Sequence, residues 1–237
     1  MKIEVLYPEV CCLYGDRSNI DYLAMAVPGS EIIMTSLTDD PRFAYEPVDL
    51  VYLGSLSEHS QELVLERLRP FANVIRLLLD RDDTVFLATG NAMELFGQYI
   101  QREDGTRCEA LGITDTYAVR QTPNRFNSVL LAEFDGMKVI GYTTRFSHSF
   151  GLKEEDALMR ITKGTGINPD TKLEGVRLGK LIATYLVGPL LPTNPDFTLW
   201  LLELCGIKDA ALPFEEAARK AYEKRLADTE AATVLLQ

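Results

Sequence analysis

VFLATGNAMELFG, running from Val85 to Gly97, is the stretch on which the fold turns. Thr84 to Leu87 are β-branched or apolar, as in a short buried strand. Ala88-Thr89-Gly90-Asn91 are small or turn-prone. Ala92, Leu95, Phe96, Tyr99 and Ile100 then recur at the spacing of a helical apolar stripe. The segment is therefore expected to run strand, tight turn, helix. Nucleophile elbows use that geometry to hold one side chain above a sheet while nearby backbone N–H groups face an oxyanion. The apex residue here is Gly90, which has no side chain with which to attack anything.

Working back to the start of the chain, Lys2–Tyr7, Glu31–Leu37 and Asp49–Gly54 read as strands. Helical stripes lie between them and Val85: Ile20, Leu23, Ala24 and Val27, then Leu63, Val64, Leu68 and Phe71. Four strand–helix alternations predict a flavodoxin-like, doubly wound α/β sheet, mostly parallel, with helices on both faces. In such sheets the site lies beyond the carboxyl ends of the strands. Pro8–Asn19, Gly54–His59 and Thr89–Asn91 should therefore converge there with the end of one later strand.

After Cys108, Gly112–Arg120, Ser128–Phe134 and Lys138–Thr144 are spaced as successive antiparallel strands, a β extension of the sheet. Leu152–Glu174 reads as irregular, and Leu181–Leu186 as a buried strand. Asn194-Pro195 should cap and open a helix whose inner face carries Phe197, Trp200, Leu201 and Leu204, with Gly206 ending it. A charged helix at about 213–232 should close the chain, with Glu215–Arg219 and Glu216–Lys220 pairs. No linker divides the chain, so 1–237 is read as a single domain.

The 237 residues carry a net charge of −11, which argues against a nucleic-acid or anionic-membrane surface. No apolar run is long enough to insert in a membrane, and MKIEVLYPEV enters a strand pattern directly, without the look of a leader. The four cysteines have no metal spacing, and a cytoplasmic location, with thiols reduced, is expected. No metal or cofactor is expected.

Five stretches, taken together and in order, carry a resemblance: LYPEVCCLYGDRSNI, LVYLGSLSEHSQE, VFLATGNAMELFG, FSHSFG, and GTGINPDTKLEG followed by LIATYLVGPLLPTNP. They resemble the class I glutamine amidotransferases of the cobyric-acid-synthase type. Within these they are most similar to the glutaminase subunit of lipid II isoglutaminyl synthase. The resemblance implies that fold and a glutaminase chemistry. In it a Cys thiolate attacks the glutamine side-chain amide, a His shuttles protons, and ammonia passes to an ATP-dependent, Mur-ligase-like synthetase.

Against the family pattern, the Cys position is Gly90 (Thr89 if the register slips by one) and the His of a TYLHGP motif is Val187. The family's Gln is Glu94, and an oxyanion-loop glycine is replaced at Ser55 or Leu56. The expected remnant pocket is Gly54, Ser55, Thr89, Gly90, Asn91, Glu94, His148 and Val187, with no catalytic residue retained.

Other residues have competing readings. Cys11 and Cys12 at the sheet edge are a relocated nucleophile or, more simply, half-buried packing residues. His59 and His148 face a pocket or serve as surface or hydrogen-bonded structural histidines, with His148 better placed because its segment matches a family motif. Asp16, Arg17 and Asn19 are a polar rim for a ligand or partner, or a turn and helix cap. Gly164, Gly166 and Gly175 lack a nucleotide fingerprint and read as loop glycines. Two functions follow: a degenerate, non-hydrolysing amidotransferase-like subunit of a synthetase acting on a peptidoglycan precursor, or an active amide hydrolase with a relocated nucleophile, in cell-wall or cobalamin synthesis.

Overall fold

The computed structural model describes residues 1–232. The amino-terminal half alternates β1 (Lys2–Leu6), α1 (Arg17–Ala26), β2 (Glu31–Thr35), β3 (Leu50–Leu53), α2 (Glu58–Leu68), α3 (Ala72–Asp80) and β4 (Val85–Thr89). Later come β5 (Tyr99–Gln101), β6 (Arg107–Glu109), β7 (Tyr117–Arg120), β8 (Phe126–Phe134), β9 (Met137–Arg145) and β10 (Ser147–Phe150). The chain ends through β11 (Ala157–Lys163), β12 (Leu173–Leu178), β13 (Leu181–Thr184), α4 (Leu190–Thr193), α5 (Pro195–Leu204) and α6 (Glu215–Ala231).

A nine-stranded sheet has the order β2-β1-β3-β4-β13-β12-β11-β8-β9. Its first five strands are parallel, and the rest pair antiparallel. Successive strand residues point to opposite faces, and the core divides accordingly. Val51, Leu53, Phe86 and Ala88 join the layer under α2 and α3, while Leu50, Tyr52, Val85 and Leu87 join the layer under α1 and α5. This is the α/β architecture the alternation predicts, with helices on both faces. The β8–β9 hairpin curls back toward the parallel half, so that Thr143 bridges Leu186 just beyond β13. A smaller sheet, β10-β7-β5-β6, stands beside it, and Phe146 is the single residue between β9 of the large sheet and β10 of the small one.

Several expectations need correction. The helix expected from Ala92 to Ile100 is a 3-10 turn, Gly90–Phe96, followed by β5. Every residue of that turn is buried, so no exposed face exists for an amphipathic helix to present. Gly97 then packs on backbone: a Cβ there would lie 2.6 Å from the Thr116 carbonyl oxygen. Ile100 pairs instead with Cys108 and Ala118 in the small sheet.

Of the expected hairpins only β8–β9 forms, because β7 pairs with β10 and β5. The stretch read as irregular holds β11, whose Leu158, Met159 and Ile161 enter the core. Pro195 opens α5 as expected, but Asn194 makes no cap bond. Its side chain instead bridges both backbone groups of Ile140, fastening α5 to β9.

The tail helix α6 carries both expected ion pairs, Arg219–Glu215 and Lys220–Glu216. Tyr222 donates to the Lys138 carbonyl and so holds α6 against the β8–β9 hairpin. No helix among the described residues is long and apolar enough to cross a membrane.

Candidate functional site

The loops beyond β1, β3, β4 and β13 meet at one sheet edge. Gly90 ends β4 in the left-handed region, φ +61°, a conformation that strains any L side chain. Its N–H donates to the Leu186 carbonyl at 3.0 Å, tying the apex to the segment after β13. This is a sharp strand-to-helix turn of the elbow kind.

The space above the apex is occupied. A Cβ built on Gly90 would collide with the Ser55 hydroxyl, lie 2.8 Å from Ser55 Cβ and 3.1 Å from Val187 Cγ1. Ser55 is buried, and its Oγ has no hydrogen-bond partner among the described residues. Ser55 is held there by its backbone, whose N–H and carbonyl are both hydrogen-bonded.

The reason is Asp16. Its Oδ2 accepts from Ser55 N–H at 2.5 Å and its Oδ1 from Gly188 N–H at 3.1 Å, joining the loops after β3 and β13. Burial pushes the Asp16 carboxyl up to about 6, against the hydrogen bonds it accepts. Asn91, next to the apex, accepts from Leu56 N–H at 3.0 Å and donates to the Leu56 carbonyl at 2.7 Å. The loop N–H groups of Ser55 and Leu56 are thus both engaged by side chains.

The remaining sequence-derived residues fall elsewhere. Thr89 is fully buried and shares a 2.9 Å hydrogen bond with the Tyr52 hydroxyl, with no base beside it. Glu94 lies inside, accepting from Ser147, from Tyr185 at 2.9 Å and from Gln61 at 2.9 Å. Burial raises its pKa, while those bonds and the Arg120 charge pull the other way.

Asp16 and Asn19, expected on a rim, are completely buried. Asn19 holds Tyr52, Gly188 and Leu191 together and Asp16 makes no side-chain cap bond to α1, so the two side chains form neither a rim nor a helix cap. Arg17 remains exposed, paired with Asp21. The two cysteines divide: Cys11 is buried and its thiol pKa raised by that burial, whereas Cys12 is exposed. His59 is exposed on α2.

His148 is neither at the surface nor hydrogen-bonded through Nδ1, which is buried and unpartnered among the described residues. It stands over Phe126 and lines a separate cavity of about 400 Å³ with Arg125, Asn127, Thr143, Arg145 and Lys172. Burial and the neighbouring Arg145 charge lower its pKa to about 4, so the ring is neutral at pH 7. The basic residues of this cavity escaped the sequence reading. They come from the loop before β8, the end of β9 and the loop before β12, and only the sheet pairing brings them together. Among the described residues no group of His, Cys, Asp and Glu is arranged to hold a metal ion.

No protein-family model matches the chain. It is 29% identical over 210 residues to the GatD subunit of the glutamine-hydrolysing lipid II isoglutaminyl synthase of Staphylococcus aureus, covering 86% of this chain and 83% of that one. The GatD subunit of Streptococcus pneumoniae is 27% identical over 209 residues, 85% and 79% of the two chains. Among solved structures, a glutamine amidotransferase superposes with a TM-score of 0.58 at 16% identity, covering 86% of this chain and 99% of its own. PurLQS from Thermotoga maritima gives 0.55 at 14% identity, with coverages of 95% and 98%. The structural likeness establishes a class I glutamine amidotransferase-like fold.

Proposed function

We propose that this chain is a glutamine amidotransferase-like subunit that no longer hydrolyses glutamine. In this reading it serves as a binding or scaffold partner of an ATP-dependent, Mur-ligase-like synthetase that amidates a peptidoglycan precursor. The single observation carrying the reading is the filled elbow. Gly90 offers no nucleophile, Val187 can neither take nor give a proton, and Ser55 occupies the volume a cysteine side chain would need. The engaged N–H groups of Ser55 and Leu56 add that an oxyanion would have to displace two side chains to be stabilised. The two GatD relatives supply the pathway, and the fold supplies the scaffold that such a subunit would present.

The alternative, a relocated nucleophile, is narrowed by the geometry. Cys11 and Thr89 are buried, which leaves the exposed Cys12 as the one thiol at this edge open to a substrate. Ammonia release from glutamine, measured on the purified chain alone and with its synthetase, tests the proposal. No release above background is expected. Steady release that disappears in Cys12→Ser would establish the alternative instead.

A further inference from the structure

The cavity around His148 is open, although the elbow beside it is filled. The two share a wall: β9 carries Thr143 and Arg145 into the cavity, and its Tyr142 carbonyl accepts from Val187 N–H at 2.9 Å. Among the described residues three cations line it, Arg125, Arg145 and Lys172, and no carboxylate does. Among the described residues none of the three forms an ion pair. In a chain of net charge −11, three unpaired cations around one concavity are not an average of the surface.

Arg145 is 4% exposed. It donates through Nε to the Ser147 carbonyl at 2.9 Å and through Nη2 to the Gly166 carbonyl at 2.7 Å, and its guanidinium lies 4.2 Å over the Tyr185 ring. The guanidinium is thereby held flat and fixed; the buried Glu174 and Glu94 act on its charge from a distance, and among the described residues neither forms an ion pair with it. Arg125 is braced over Phe146 at 4.6 Å, and Lys172 reaches the Gly164 carbonyl at 3.2 Å. Asn127 and Thr143 add neutral polar groups to the lining. Asp170, exposed beside the mouth, is an acid whose field reaches His148.

This lining is wrong for an amino acid. A zwitterion needs an acceptor for its ammonium as well as donors for its carboxylate, and here the charged groups are all donors. It suits a compact group with two or more negative charges and several acceptor oxygens, which arginine forks and a lysine point charge bind together. The volume admits a small ligand.

We propose that this cavity binds a phosphoryl dianion, a phosphate ester or anhydride, rather than glutamine. The inference rests on the reading of the chain as a binding rather than a hydrolysing subunit. Titration calorimetry at physiological salt with pyrophosphate, inorganic phosphate, glutamine and glutamate tests it. Saturable binding of pyrophosphate or phosphate is expected, with no binding of glutamine. Arg125→Gln and Lys172→Gln, both at exposed positions that should leave folding intact, should each weaken it about tenfold or more.

Vesicles containing phosphatidic acid, used as competitors, separate the sources. Displacement of pyrophosphate assigns the phosphate to a lipid headgroup, and no displacement assigns it to a soluble molecule; either result supports the shared chemistry. Absence of binding by both phosphates, affinities unchanged in both variants, or glutamine binding as tightly as pyrophosphate would overturn the proposal. Ammonia assays on the same samples keep the two readings apart. Hydrolysis with phosphate binding refutes only the non-hydrolysing reading, and silence in both assays refutes only the anion site.

Discussion

The elbow at Gly90 and the cavity at His148 are neighbours that have resolved the same problem in opposite ways. Both lie at the carboxyl edge of the sheet and both carry polar groups inside the protein. At the elbow, Ser55 and Val187 close on the apex, and Asp16 and Asn91 take up the loop N–H groups. At the cavity, three cations line an open space with no acid among the described lining residues. The difference teaches that a missing catalytic side chain need not leave a hole. Interiors are close-packed, and a void forfeits the contacts of its lining, so neighbours move in. Unmatched polar groups persist where something other than protein can answer them.

The sharpest way to break the comparison is to put the side chain back. Gly90→Cys should cost roughly 2–5 kcal/mol, about 1–2 from an L residue at positive φ and about 1–3 from overpacking. Urea unfolding measures this, and a variant as stable as the parent would mean that the elbow is empty after all.

Asp16→Ala should cost about 1–3 kcal/mol by leaving the Ser55 and Gly188 N–H groups without an acceptor. It should also change the pH profile. Because burial raises the folded-state pKa of Asp16 to about 6, its neutral form is the one the fold prefers. Its contribution is complete below about pH 3.8, declines as pH rises to about 6 and is flat above, and the variant should lose that decline.

The cavity should respond least. Arg125→Gln and Lys172→Gln, exposed and without ion pairs, should change stability by no more than about 0.5 kcal/mol in thermal or urea unfolding. A large loss in either would mean that the cavity is held together by these residues, as the elbow is by Asp16.

The parallel half of the fold was legible because alternation of short apolar strands with helical stripes constrains it strongly. The elbow's strand and turn were legible for the same reason. Its helix was misread: Ala92, Leu95, Phe96, Tyr99 and Ile100 have helical spacing, but Ile100 answers to cross-strand partners that no local pattern reveals. β11 was missed because its alternation is interrupted by two adjacent core residues, Leu158 and Met159.

At the site, the absence of a nucleophile at Gly90 could be read from one residue. That Ser55 fills the space depends on an Asp16 contact 39 residues distant, and so appears only in three dimensions. The cationic cavity was invisible for a similar reason. Arg125 just precedes β8 and Arg145 ends β9, side by side at the open end of one hairpin because Phe126 pairs with Arg145, and Lys172 arrives from a third segment.

The central claim, that Ser55 stands where a side chain on Gly90 would go, is tested most directly by a double-mutant cycle. The stabilities of Gly90→Ala, Ser55→Gly and the double variant are compared by urea unfolding. If the two positions compete for one volume, removing Ser55 should relieve the added Cβ, and the double variant should be at least about 1 kcal/mol more stable than the sum of the single effects. Additivity within about 0.5 kcal/mol would contradict it, because the strain of Gly90→Ala would then be backbone strain alone.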